Sequence, residues 1–154
     1  MAQIMIKPVR FGAPVAQELV AAAMRDLAER YGSADETPVD PTAFDPPEGG
    51  FVVAYLGGVP VGCGGWRSHG DTDDIAEVKR MYTAPQARGR GVARAVLAAV
   101  EESARTFGRK RMILETGSAQ PEAIAFYACE GYEQIPNFGY YRGEEGCVSF
   151  GRNL

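Results

Sequence analysis

The chain has 154 residues, 45% hydrophobic and 23% charged, the balance of one globular domain around a single core. Sixteen basic against twenty acidic side chains leave a formal charge of −4, which argues against a nonspecific nucleic-acid binder. No apolar run approaches the roughly 20 residues of a membrane helix, and Met1–Ile6 lacks the basic start and long apolar stretch of a leader, so a cytoplasmic location without membrane contact is expected. The three cysteines, Cys63, Cys129 and Cys147, form no close pair and have no partner histidine pattern, which argues against a disulfide framework and against a metal site.

Gln3–Phe11 alternates apolar and polar residues and reads as a first strand. Pro14 opens a helix with Val15, Leu19, Ala22, Ala23 and Leu27 at helical spacing, and Tyr31-Gly32 stops it. Ser33–Gly50 carries four prolines and five acids (Asp35, Glu36, Asp40, Asp45 and Glu48). It is too long for a plain connection and reads either as an entrance flap or as a connector with a short helical turn. Phe51–Leu56 and Val59–Arg67 form a hairpin across Gly57-Gly58, where both residues tolerate positive φ. After the polar turn Ser68–Asp73, Ala76–Thr83 is a fourth strand.

Gly89–Phe107 is the strongest helix, with a buried stripe of Val92, Val96, Leu97, Val100, Ala104 and Phe107, closed by Gly108. Arg111–Thr116 is a strand. Gln120-Pro121-Glu122 starts another helix, with proline in the first turn and an acid at the positive dipole end, and Gly131 ends it. Tyr132–Ile135 and Gly146–Phe150 are two last strands, joined by a loop containing Phe138, Tyr140 and Tyr141. The order β-α-(loop)-β-β-β-α-β-α-β-β predicts a mixed, mostly antiparallel α/β sheet of about 6–7 strands flanked by about 4 helices.

The segment Gln86-Ala87-Arg88-Gly89-Arg90-Gly91 joins a strand to the long helix. Such a turn presents unpaired backbone N–H groups at a helix N-terminus and suits a phosphate-bearing ligand. A Walker A loop is excluded because no Gly-Lys-Ser/Thr follows. A dinucleotide fingerprint is disfavoured because Arg94 stands where close packing needs a small residue.

Gln86-x-x-Gly89-x-Gly91 between strand and helix resembles the acetyl-CoA motif of the GNAT N-acetyltransferase superfamily. Ala123-Ile124-Ala125-Phe126-Tyr127 followed by Gly131-Tyr132 resembles the family's second signature, at the family's spacing. The resemblance implies a GNAT-like fold and acetyl-CoA as co-substrate, without a metal. It implies that the N–H groups of Arg88, Gly89, Arg90, Gly91, Val92 and Ala93 hold the pyrophosphate, aided by the arginine charge of Arg88, Arg90 and Arg94. The pantetheine arm would pair like a strand with Met81, Tyr82 and Thr83, and amides beside Met81 and Tyr82 would stabilise the oxyanion. Gln120 occupies a position where many members have an asparagine that touches the CoA arm.

Tyr127 matches the family's general acid, and a phenol with a reference pKa of about 10 stays protonated at neutral pH. Its other reading is a packed aromatic with a satisfied hydroxyl. Glu77 is the candidate base, with an ordinary ion pair to Lys79 or Arg80 as the alternative. His69, in a turn, reads as solvated. Leu114-Glu115-Thr116-Gly117-Ser118, Gln120-Pro121-Glu122-Ala123 and Phe138-Gly139-x-Tyr141 look like a bacterial branch associated with small molecules, some amino-acid-like. On that basis Trp66, Arg67, Arg80 and Tyr141 are candidate acceptor contacts, with Arg67 or Arg80 suited to a carboxylate. The expected activity is acetyl transfer to a primary amine by direct attack, because no cysteine has the histidine neighbour of an activated nucleophile. A peptide acetyltransferase, an acyl-CoA sensor and an unrelated nucleotide binder are the rivals, and a homodimer is a further expectation.

Overall fold

The computed structural model describes residues 3–154. Strands β1 (Ile4–Pro8), β2 (Gly49–Leu56), β3 (Val59–Ser68), β4 (Ile75–Thr83), β5 (Arg111–Gly117), β6 (Glu133–Ile135) and β7 (Cys147–Asn153) form one seven-stranded sheet in the order β1-β2-β3-β4-β5-β7-β6. Helices α1 (Pro14–Tyr31), α2 (Val92–Thr106) and α3 (Pro121–Cys129) accompany it. A fourth α-helix was expected but is absent among the described residues; the short elements Pro41–Phe44 and Pro85–Ala87 are 3-10 turns instead. Both are too short and proline-bound to propagate i to i+4 hydrogen bonds.

The two faces of the sheet hold different cores. On one face, α2 packs Val92, Val96, Leu97, Val100 and Ala104 against Val52, Trp66, Val78 and Leu114. On the other, Ala16, Leu19 and Val20 of α1 pack against Phe11, Phe51, Val53 and Cys63. The buried stripe of α1 is Ala16, Leu19, Val20 and Ala23 rather than the expected set ending at Leu27. Leu27, in the last turns of α1, lines an open cleft instead. The 33–50 segment is anchored by Phe44, which stacks on Phe11 with centroids 4.6 Å apart and meets Phe51 edge-on at 5.7 Å.

Two irregularities in β4 position the site. Its parallel ladder with β5 covers only Ile75–Glu77 against Arg111–Ile113, so the two strands separate beyond that point. On the opposite edge, β3 advances from Cys63 to Gly65 while β4 runs from Tyr82 back to Lys79, leaving one extra β4 residue unpaired, a β-bulge. Arg80, in the bulge, takes a φ of 60°, a left-handed conformation that costs a non-glycine residue roughly 1–2 kcal/mol. Local contacts offset that cost: the Cys63 thiol donates to the Arg80 carbonyl at 3.3 Å, and the Arg80 guanidinium is clamped to Asp35. Gly64 opposite the bulge leaves room for the Met81 thioether, which a Cβ at 64 would strike.

Candidate active site

The gap between β4 and β5 is a cleft of about 890 Å³. Val78–Thr83 form one wall and Leu114–Ser118 the other. The rim is made by Leu27, Arg30 and Tyr31 of α1, residues 33–36, Arg88 and Gly89 before α2, Gln120–Tyr127 at α3, and residues 144–147. Of the expected cofactor contacts, Met81, Tyr82, Thr83, Arg88, Gly89, Ala93, Gln120 and Tyr127 line this cleft. Beyond Glu77, the β4 edge that faces β5 lacks the ladder that would satisfy its backbone groups.

At one end lies the glycine turn. Gly89 and Gly91 take φ of 77° and 82°, and Gly91 is the N-cap of α2 with no side-chain cap. Among the described residues, the backbone N–H groups of Gly89, Arg90, Gly91, Val92, Ala93 and Arg94 have no protein acceptor. Val92 is buried in the core, so only its backbone is offered here. Arg88 is held beside the turn, its Nε donating to the Thr83 carbonyl at 3.1 Å, and Arg90 is exposed. Arg94 instead pairs with Glu130 at 2.7 Å and ties α2 to the end of α3. Arg88 also lies 3.8 Å from Asp26, a long and half-exposed ion pair. Consecutive unpartnered amides at a helix start, next to the guanidinium groups of Arg88 and Arg90, fit a diphosphate. Gln120 also reaches the cleft, where its Oε1 accepts from the Tyr31 hydroxyl at 3.1 Å.

Tyr127 is 7% exposed, its ring packed against Phe126, Tyr132 and Phe150. Among the described residues its hydroxyl has no hydrogen-bond partner, although neighbouring Tyr132 donates to Glu101 at 2.7 Å. Burial raises the Tyr127 phenol above its ordinary value, so it carries its proton throughout the physiological range. The ring is fixed while the donor is uncommitted and borders the cleft.

The opposite end of the cleft is charged. Arg80 Nη1 donates to Asp35 Oδ2 at 2.5 Å, and its Nη2 reaches the Thr37 carbonyl at 3.5 Å. Asp35 Oδ1 accepts from Thr37 and from the Tyr141 hydroxyl at 3.0 Å, and the Tyr141 oxygen accepts from the Glu36 N–H at 2.6 Å. Burial alone would raise the Asp35 carboxyl, but Lys79, the Thr37 hydrogen bonds and Arg80 outweigh it and hold it below its ordinary value. On β5, Glu115 Oε2 accepts from the Tyr141 N–H at 3.1 Å, while Glu115 Oε1 is buried without a partner. Cys147 also lines the cleft; its thiol lies 3.7 Å from Glu115, and burial together with that carboxylate keeps it protonated. Burial pushes the Cys63 thiol up to about 12, which leaves it inert as a nucleophile.

Three expected site residues lie elsewhere. Trp66 is fully buried on the α2 face, with its Nε1 donating to Ser103 at 2.9 Å, so it is core and not an acceptor contact. Strand alternation puts it on the sheet face away from the strap at residues 33–40. Arg67 donates to Glu77 at 3.2 Å and to the Pro38 carbonyl at 2.8 Å, and borders a separate shallow hollow with His69, Asp40 and Glu77. Glu77 is 2% exposed, with Arg67 and His69 within 3.5 Å of Oε1 and Lys79 at 3.7 Å from Oε2. The structure therefore does not bring Glu77 to the cleft; it sits where β4 and β5 are still paired. Glu115 is the residue that sequence reasoning missed, although it lies inside the quoted Leu114–Ser118 motif. Its signal is an acid on β5 just past the last β4 pairing, visible only once the register is known.

The sequence profile of the Acetyltransferase (GNAT) family matches residues 15–132. The IAA acetyltransferase of Azospirillum brasilense is 34% identical over 125 residues, covering 80% of each chain. The uncharacterized N-acetyltransferase YjgM of Escherichia coli is 36% identical over 126 residues, covering 75% of each. Among solved structures, an acyl-CoA N-acyltransferase from Klebsiella pneumoniae superposes with a TM-score of 0.81 at 27% identity, covering 99% of this chain and 98% of that one. With its separated β4 and β5, glycine turn and cleft tyrosine, the chain belongs to the GNAT family of acetyl-CoA-dependent N-acetyltransferases.

Proposed function

We propose that the chain transfers an acetyl group from acetyl-CoA to a primary amine of a small molecule, by direct attack in a ternary complex. The observation that carries this reading is one cleft that runs from Gly89 and Ala93, at the turn of unpartnered amides, to an uncommitted Tyr127 hydroxyl. The amides and Arg88 would hold the diphosphate, and the free β4 edge at Met81, Tyr82 and Thr83 would hold the pantetheine arm. Acetyl-CoA supplies the activated thioester carbonyl. Amides at the β4 bulge would stabilise the charge that develops on its oxygen. A small acceptor is favoured over a peptide because the 33–37 strap, tied to Tyr141 at Glu36 and Asp35, covers the acceptor end.

Glu115 takes one proton from the incoming ammonium and passes it to solvent. The nitrogen then forms the C–N bond as the C–S bond breaks. Tyr127 protonates the departing sulfur and is restored by the second nitrogen proton. Neither Cys63 nor Cys147 is a thiolate, so no covalent acetyl-enzyme is invoked.

The test is Tyr127→Phe. It should lower kcat about 100-fold, the usual size of a general-acid contribution, while leaving CoA affinity by calorimetry unchanged. A variant with unaltered turnover would remove Tyr127 from the mechanism, and a wild-type protein whose melting temperature ignores CoA would remove the acetyltransferase reading itself.

A further inference from the structure

Resting on the acetyltransferase reading, one feature of the acceptor end points to a substrate class. Among the described residues, three buried side-chain atoms have no hydrogen-bond partner: Arg80 Nε, Arg109 Nε and Glu115 Oε1. The Arg109 guanidinium lies over the Trp66 ring at 5.1 Å, outside the cleft, and that face accounts for it. The other two belong to residues that line the cleft, and they carry opposite charge.

Glu115 has no cationic partner among the described residues. Its neighbours are a backbone N–H and a thiol, both neutral. The residue is half-buried, but its Oε1 is closed off without a partner, which is costly unless a cation completes it. The Arg80 side chain is 7% exposed, and Asp35 and the Thr37 carbonyl engage only its terminal nitrogens. Its Nε–H is left to an incoming acceptor atom, and a carboxylate supplies one in the right geometry. A continuous chain of bonds separates the two groups: Glu115 to the Tyr141 N–H, the Tyr141 hydroxyl to Asp35, and Asp35 to Arg80. The unfilled cation site and the unfilled anion site thus stand at the two ends of one tyrosine-aspartate link.

We infer that the acceptor is a free amino acid, held with its amine on Glu115 and its carboxylate on Arg80. A monovalent amine satisfies only Glu115 and leaves the Arg80 Nε–H buried and unmet. A zwitterion satisfies both and adds no net charge to the interior. Lys79, 3.9 Å from Asp35 and 3.7 Å from Glu77, balances the remaining acids beneath the link.

The experiment compares matched acceptors on the unaltered protein at saturating acetyl-CoA, following thiol release. The probes are phenylalanine, phenylalaninamide and phenethylamine, and the same series built on lysine. Removing the carboxylate should lower kcat/KM at least tenfold, in keeping with the usual strength of a hydrogen bond to a charged group. Arg80→Lys should bring the ratio between acid and amine toward one. Because Arg80 sits at the bulge and its variants can fail to fold, the wild-type ratio decides independently. Equal or faster acetylation of the carboxylate-free partners, of polyamines or of peptide N-termini overturns the inference and leaves the acetyltransferase reading standing. Absence of thiol release with every amine, together with absence of CoA binding, overturns both.

Discussion

Glu77 and Glu115 are acids on neighbouring strands, and their surroundings differ completely. Glu77 lies where β4 and β5 still pair, and Arg67, His69 and Lys79 surround its carboxylate. Glu115 lies where the strands have parted and retains a buried oxygen with no partner. A saturated ion cluster holds a fold together, whereas an unsaturated one implies a missing partner. The strand pairing decides which residue is which, since strand propensity and charge are the same for both.

The sharpest way to break this contrast is to neutralise each acid. Glu115→Gln should cut turnover about 100-fold while leaving the melting temperature unchanged or higher, because it removes a carboxylate that has a buried, unmet oxygen and no cationic partner among the described residues. Glu77→Gln should do the reverse, destabilising by about 3 kcal/mol in urea denaturation as Arg67 and Lys79 lose their shared counter-charge. Matching losses of turnover in both variants would end the distinction.

A smaller effect separates conformation from contact at the glycine turn. A Cβ on Gly91 meets nothing within 4 Å, so its φ of 82° is the whole cost of Gly91→Ala within the protein. That cost is about 1 kcal/mol, or roughly 2–4 °C in melting temperature. A rise in the KM for acetyl-CoA beyond that expected from partial unfolding would mark close approach of the ligand to this backbone; an unchanged KM would count against it.

The smallest effect is in acid. Asp35 has a folded pKa below its ordinary 3.8, so its contribution is complete above 3.8 and is lost as pH falls through the folded value. Protection of the Glu36 and Thr37 amides, taken relative to their intrinsic exchange rates, should therefore fall below that value and be constant above it. Protection that changes across neutral pH and is unaltered in acid would show that Asp35 is not the latch.

The α2 stripe was readable in advance because helical spacing alone selects Val92, Val96, Leu97, Val100 and Ala104, and all are buried; Phe107, expected on the same stripe, is instead the half-buried C-cap, because the helix ends at Thr106. The Gly57-Gly58 hairpin was readable for a similar local reason, and both residues take positive φ. The glycine turn and Tyr127 carried recognisable local spacing. What escaped depends on long-range register. Glu115 matters only because β5 leaves β4 after Ile113, and Trp66 is core only because its side of β3 faces α2. The anchoring role of Phe44 likewise needs Phe11 and Phe51, which come from distant parts of the chain.

The short parallel ladder at Ile75–Glu77 has a mechanical consequence. It is the one strand pairing between the four strands β1–β4 and the three strands β5–β7 among the described residues, extended only by the Asp74 carbonyl, which accepts from Lys110 and Arg111. A ligand arm lying along the free edge of β4 would act as a zip between these two blocks, so occupancy would stiffen the protein across its middle. Catalytic alignment of Tyr127, on the far block, with the β4 bulge, on the near one, would then be completed by the donor's own arrival.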